Sequence, residues 1–165
     1  MTYNYEKAFT EGHKYNNIVA KFLSEQGIPC KVPELELAQN KADRMRFTLG
    51  EKDIILEKLP KVLEVKTTRR AFSDDPHDFP FSNTIVDTVH GYESKEVKPY
   101  AYILYSQPTG SMLVLPPSTK NNWNIKTIYD TYQDLTDDFY LINKKDIRPM
   151  ADLVARLLQL QNATH

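Results

Sequence analysis

The sequence predicts an α/β or α+β fold, a β-sheet flanked by α-helices. Three observations predict it. An amphipathic helical stripe lies near each end of the chain, short β-branched and aromatic runs lie between them, and two of those runs flank a turn. The 165 residues are 41% hydrophobic. A chain of this length buries about 70% of its unfolded surface, so one domain over 1–165 is expected.

The first stripe is Tyr15, Ile18, Val19, Phe22 and Leu23, spaced i, i+3, i+4, i+7 and i+8, with Gly27 and Pro29 as stop signals. Residues 30–37 and 45–49 read as short strands. Asp53–Leu56 and Val62–Lys66 read as two strands joined by a turn near Lys58–Lys61, because Pro60 bars either strand from running through. Periodicity then fades, so 71–98 is expected to be a functional or mobile loop between core segments at about 5–70 and 99–161. Ala101–Tyr105 and Met112–Leu115 flank Gln107-Pro108-Thr109-Gly110, a hairpin signal. Asn124–Leu135 is expected to be a helix, Phe139–Ile142 a strand, and Arg148–Leu160 a closing helix with Leu153, Val154, Leu157 and Leu158 on one face.

Charge and composition exclude several classes. Net charge is −1, so the chain is not a globally basic nucleic-acid binder. The charge is nevertheless uneven: 41–70 carries nine Lys/Arg against five Asp/Glu, and 71–98 carries six acids against two lysines. A basic strip can meet phosphate, and a solvated face gives the same count. No apolar run approaches the roughly 20 residues of a membrane span. The first residues lack a secretory signal, so a cytoplasmic location without membrane partners is expected. The single cysteine, Cys30, excludes an intrachain disulfide and a cysteine-based zinc cluster.

Chemistry concentrates in Gly50–Arg70. Alternate side chains of a strand share a face, so Glu64 and Lys66 point together and Leu63 and Val65 point oppositely. If the strand starting at Asp53 pairs across the turn, two carboxylates and one ammonium converge at one edge of an apolar sheet. Carboxylate oxygens are hard ligands for Mg²⁺, which also accepts phosphate oxygens. A neighbouring lysine can orient a water or neutralise developing charge. The set suits phosphodiester hydrolysis. A surface ion pair at Glu64–Lys66 and a turn aspartate at 53 would leave the same residues without chemistry.

Asp53, ten residues, then Glu64-Val65-Lys66 resembles the active-site motif of the PD-(D/E)XK nuclease superfamily. Gly50-Glu51-Lys52-Asp53-Ile54-Ile55 and Leu63-Glu64-Val65-Lys66-Thr67 resemble its two motif strands, with Lys52 where many members carry proline or a hydrophobic residue. The resemblance implies an α/β, restriction-endonuclease-like core with a mixed central β-sheet flanked by α-helices, and a Mg²⁺-dependent endonuclease acting on DNA, with Mn²⁺ as substitute ion. It implies Asp53, Glu64 and the Val65 carbonyl as metal ligands and Lys66 as the residue that positions or activates water. It also implies a glutamate from the preceding helix, where Glu11 either reaches the metal or serves as a first-turn acid. Thr67, Thr68, Arg69 and Arg70 would lie beside the scissile strand and hold phosphates. A homodimer would cut both strands of a duplex. The alternative is a catalytically inactive nuclease-like module that binds nucleic acid or protein.

Phe72, His77, Phe79, Phe81 and Asn83 are candidates to read bases or wedge a DNA distortion, and equally to form a dimer contact or a lid. Lys95, Lys98, Lys120 and Trp123 either extend a binding face or form a solvated edge. Tyr100–Tyr105 reads as a core strand with its hydroxyls at the rim.

Overall fold

The computed structural model describes residues 5–33, 53–131 and 134–163. Helix α1 (Tyr5–Glu25) buries Val19, Ala20 and Leu23, whereas Ile18 is 38% exposed, so the buried stripe is rotated from the one the apolar spacing suggests. Gly27, at φ +90°, ends the helix. The amide of Ile28 bonds the Leu23 carbonyl at 3.0 Å and that of Gly27 bonds Ser24 at 3.1 Å, the paired bonds of a Schellman cap, with Ile28 fully buried beyond it.

A six-stranded sheet runs in the order β1 (Cys30–Lys31), β2 (Ile54–Leu56), β3 (Val62–Thr68), β5 (Ala101–Ser106), β6 (Met112–Leu115), β9 (Arg148–Pro149). All its pairings are antiparallel except β3 with β5, which is parallel from Leu63↔Ala101 to Thr68↔Ser106. A parallel pair needs a crossover, and residues 69–100 supply it. That segment is therefore not an open loop. It holds a 3₁₀ turn (Pro76–Asp78), strand β4 (Asn83–Thr88) and helix α2 (Val89–Ser94). Strand β4 forms a second sheet in the order β4, β8 (Leu135–Asn143), β7 (Asn124–Asp130).

The helix expected over Asn124–Leu135 is thus a strand, a turn and the first residue of the next strand. Ile125, Thr127, Ile128 and Tyr129 are β-branched or aromatic, and seven successive pairs with β8 satisfy the backbone. The expected closing helix starts two residues later: α3 spans Met150–Ala163, because Arg148 and Pro149 pair with Val114 and Leu113 at the sheet edge, where proline is tolerated. The hairpin Ala101–Ser106/Met112–Leu115 forms as the sequence indicates, with Gly110 at φ +72° in its turn. The strand expected over 30–37 is reduced to Cys30–Lys31 within the described residues; 34–37 and 45–49 lie outside them.

The large sheet is covered on both faces. Val19, Leu23, Ile54, Leu63, Ile103, Val114 and Leu157 pack under α1 and α3. Phe72, Phe79, Val86, Tyr102, Leu113, Trp123 and Ile142 pack between the two sheets. Among the described residues no helix is long and apolar enough to cross a membrane.

The Gly27 cap yields a stability test. A β-carbon there would meet nothing closer than Leu158 Cδ2 at 3.5 Å, so its cost is conformational rather than steric. Gly27→Ala is expected to lower unfolding free energy by about 1–2 kcal/mol, with an unchanged denaturant slope in urea melts.

Candidate active site

The pairing of β2 with β3 places Ile54 opposite Leu63, so Asp53 comes opposite Glu64 where the strand begins. The Val65 amide donates to Asp53 Oδ2 at 2.8 Å and locks that carboxylate onto the neighbouring strand. Glu64 and Lys66 share a face as the two-residue period requires, and Lys66 Nζ lies 3.1 Å from Glu64 Oε2. Leu63 and Val65 pack on the opposite face. The structure therefore brings Asp53, Glu64, Val65 and Lys66 together.

It adds four residues that strand spacing does not reveal. Asn16, on α1, lies close enough to Asp53 for its side chain to help hold that carboxyl down. Asp87 is 6% exposed and accepts from Lys66 Nζ at 3.4 Å, Lys95 Nζ at 2.7 Å, Tyr102 Oη at 2.7 Å and the Thr88 amide at 2.8 Å. Lys95, from the end of α2, also lies 3.4 Å from Glu64 Oε1. Lys95 is therefore turned inward rather than on a solvated edge. Tyr102 is fully buried and its hydroxyl points at Asp87, not at a rim.

The two aspartates experience opposite fields. Burial, reinforced by the Glu64 charge, pushes the Asp53 carboxyl up to about 7 against the opposing pull of the Val65 amide, Lys66 and Asn16. Burial also acts to raise Asp87, but Lys66, Lys95 and the Tyr102 hydroxyl outweigh it and hold that carboxyl below its usual range. Burial acts to lower the Lys66 ammonium, and Glu64 and Asp87 outweigh it, so Lys66 is held above the ordinary lysine range. Tyr102 is raised by burial and by the Glu64 and Asp87 charges, which keeps its phenol a donor.

A cleft of about 410 Å³ opens beside this cluster, between the end of β3 and the second sheet. Lys66, Thr67, Thr68, Arg70 and Lys126 line it, whereas Arg69 is exposed but not part of its wall. The Arg70 guanidinium stacks 4.3 Å over the Phe81 ring. Phe72 and Phe79 are core side chains, 5% and 2% exposed, so they are not free to read bases. Lys98 caps α2 through the Tyr92, Glu93 and Lys95 carbonyls, Lys120 pairs with Glu93, and Trp123 is buried. Glu11 lies on α1, and its side chain falls outside the described residues. Among the described residues no three His, Cys, Asp or Glu side chains gather as a ready-made metal cage.

The raised Asp53 has a consequence for stability. An unfolded aspartate ionises near pH 3.9, whereas the folded one holds its proton to about 7. The folded state binds more protons in that window, so stability falls as pH rises from about 4 to 7 and then levels. Asp53→Asn, compared with wild type in chelator, is expected to be more stable by a few kcal/mol at pH 8, with the two melting curves converging near pH 4. A constant offset across that range would remove this account of Asp53.

Compared with protein-family models, curated proteins and solved structures, the chain finds no match.

Proposed function

We propose that the chain is a Mg²⁺-dependent deoxyribonuclease, a restriction-endonuclease-like endonuclease that hydrolyses DNA phosphodiester bonds. The observation that carries this reading is the convergence of Asp53, Glu64 and Lys66 on two adjacent strands, with the Val65 amide on Asp53. The element order supports it: α1, three antiparallel strands β1 to β3, α2 in the crossover, then β5 parallel to β3.

The donor set suits a divalent ion. Asp53, Glu64 and Asp87 against Lys66 and Lys95 leave one unit of negative charge, and the raised Asp53 shows where that excess is felt. Asp53 and Glu64 would hold Mg²⁺, or Mn²⁺ in its place, through carboxylate oxygens, with the Val65 carbonyl and Glu11 completing the set. When bound, the ion offsets carboxylate repulsion and polarises the scissile phosphate.

The protein's own groups divide the remaining work. Lys66 is held as an ammonium by Glu64 and Asp87, so it donates hydrogen bonds rather than removing a proton: it orients the attacking water and stabilises charge growing on the phosphate. Its side chain is 36% exposed, toward the cleft. Thr67, Thr68 and Arg70, with Lys126 across the cleft, hold flanking phosphates, while Arg69 meets phosphate outside it. Two copies related by a two-fold would cut both strands of a duplex in the cytoplasm.

One observation favours the second reading, a nuclease-like module without catalysis. Both Glu64 oxygens already face an ammonium, Lys66 on one and Lys95 on the other. Incubation of supercoiled plasmid with the protein separates the two. Cutting in Mg²⁺ or Mn²⁺, abolished by EDTA and reduced about a hundredfold or more in Lys66→Ala, is the expected outcome. Retarded plasmid without cutting in either ion would establish the module instead.

A further inference from the structure

Asp87 is built into place by the fold. Strand β4 pairs Ile85 with Leu141 but Asp87 with Tyr140, so Val86 is an extra residue, a bulge that turns both Val86 and Asp87 inward. Thr88 then caps α2, its hydroxyl accepting from the Gly91 amide at 2.8 Å. A β-carbon on Gly91 would lie 2.5 Å from Thr88 Oγ1 and 3.0 Å from Asp87 Oδ1, so only glycine lets the helix approach this closely. Four donors from three elements and the chain's next residue converge on one buried carboxylate.

We infer that Asp87 is a positioning residue: it holds Lys66 and Lys95 on the two oxygens of Glu64, so that Lys66 presents its remaining N–H to the cleft. Lys95 has three acceptors, Asp87 at 2.7 Å, the Gly91 carbonyl at 3.0 Å and Glu64 at 3.4 Å, which seat it as a brace. Lys66 has two, Glu64 at 3.1 Å and Asp87 at 3.4 Å, which leave its third N–H for a water or phosphate oxygen. With Asp87 neutral, Lys66 would be tethered at Glu64 alone and free to rotate about it, and Lys95 would lose its shortest bond. A displacement of about 1 Å in such a group can cost about a hundredfold in rate. The catalytic consequence rests on the nuclease reading; the placement of the lysines does not.

The test uses the full chain and two readouts. Lysine ammonium groups appear in ¹H–¹⁵N correlation spectra when hydrogen bonding slows their exchange with water, so Lys66, Lys95 and Lys98 are expected to give cross-peaks in the wild type. In Asp87→Asn the Lys66 and Lys95 peaks should vanish, while Lys98, bonded only to helix carbonyls at 2.7–2.8 Å, keeps its peak and reports an intact α2. Plasmid cleavage should show kcat lower by about ten- to a hundredfold, with KM and Mn²⁺ binding within about threefold of wild type. If Lys66 and Lys95 peaks persist unchanged in Asp87→Asn, the inference is overturned whatever the activity. If the peaks behave as expected but the wild type cuts nothing in Mg²⁺ or Mn²⁺, the placement stands and the nuclease reading falls. Should Asp87→Asn lose the Lys98 peak, Lys95→Gln carries the test. Lys66 then serves Glu64 and Asp87 alone and its peak must sharpen, and a broadened or absent Lys66 peak overturns the inference.

Discussion

The antiparallel register of β2 on β3 is the constraint on which the site depends. With Ile54 opposite Leu63, both of these side chains enter the core under α1 and α3, and Asp53 is delivered opposite Glu64. Because the side-chain period of a strand is two, a slip of one residue would exchange the faces, sending Leu63 and Val65 out of the core and Glu64 and Lys66 into it. The apolar core and the polar cluster are therefore specified by the same pairing. The Val65 amide bond to Asp53 adds a local lock, because it is made by the residue between Glu64 and Lys66.

The second determinant is the crossover that joins β3 to its parallel neighbour β5. It carries two of the five charged groups, Asp87 on the bulged strand β4 and Lys95 at the end of α2. It also closes the far face of the sheet, with Phe72, Phe79, Val86 and Tyr92 packed against Tyr102 and Leu104. One segment thus covers the core and supplies charge to the site. A burial penalty on Asp87 is offset because its partners arrive from β3, α2 and β5 together, and the strand that contributes Tyr102 is the one the crossover exists to reach.

The sequence reveals those parts of this arrangement whose signals are local. Gly27 after an apolar helix, the turn at Lys58–Lys61, the hairpin at Gln107–Gly110 and the alternation Glu64-Val65-Lys66 each depend on neighbours in the chain, and each is found where the spacing puts it. Asp87 and Lys95 lie 21 residues and more beyond Lys66, in a stretch where a bulge breaks the two-residue period, so no periodic reading points to them. The strand at Asn124–Asp130 was obscured differently. Its apolar residues Ile125, Ile128 and Tyr129 fall at helical spacing, and only pairing with β8 makes it a strand. Asn16 carries no local signal, because a polar residue on a helix gives no sign that it lies near a carboxylate at a strand end.

The opposite behaviour of the two aspartates locates the unmet demand in the cluster. Asp87 is buried and Asp53 half-buried, yet Asp87 is pulled below the ordinary carboxylate range and Asp53 is pushed above it. The difference is in partners: Asp87 is bonded by two ammonium groups, a phenol and an amide, whereas Asp53 is bonded by the Val65 amide, with Lys66 and Asn16 too weak to offset burial and the Glu64 charge. Among the described residues no ammonium or guanidinium forms an ion pair with Asp53, so its carboxyl keeps a proton up to about pH 7. A divalent cation shared with Glu64 would satisfy the same deficit with stronger charge and without losing the carboxylate. Environments that drive two like groups apart in this way separate their chemistry: Asp87 is held as the charged partner of Lys66 and Lys95, and Asp53 keeps its proton further up the pH scale.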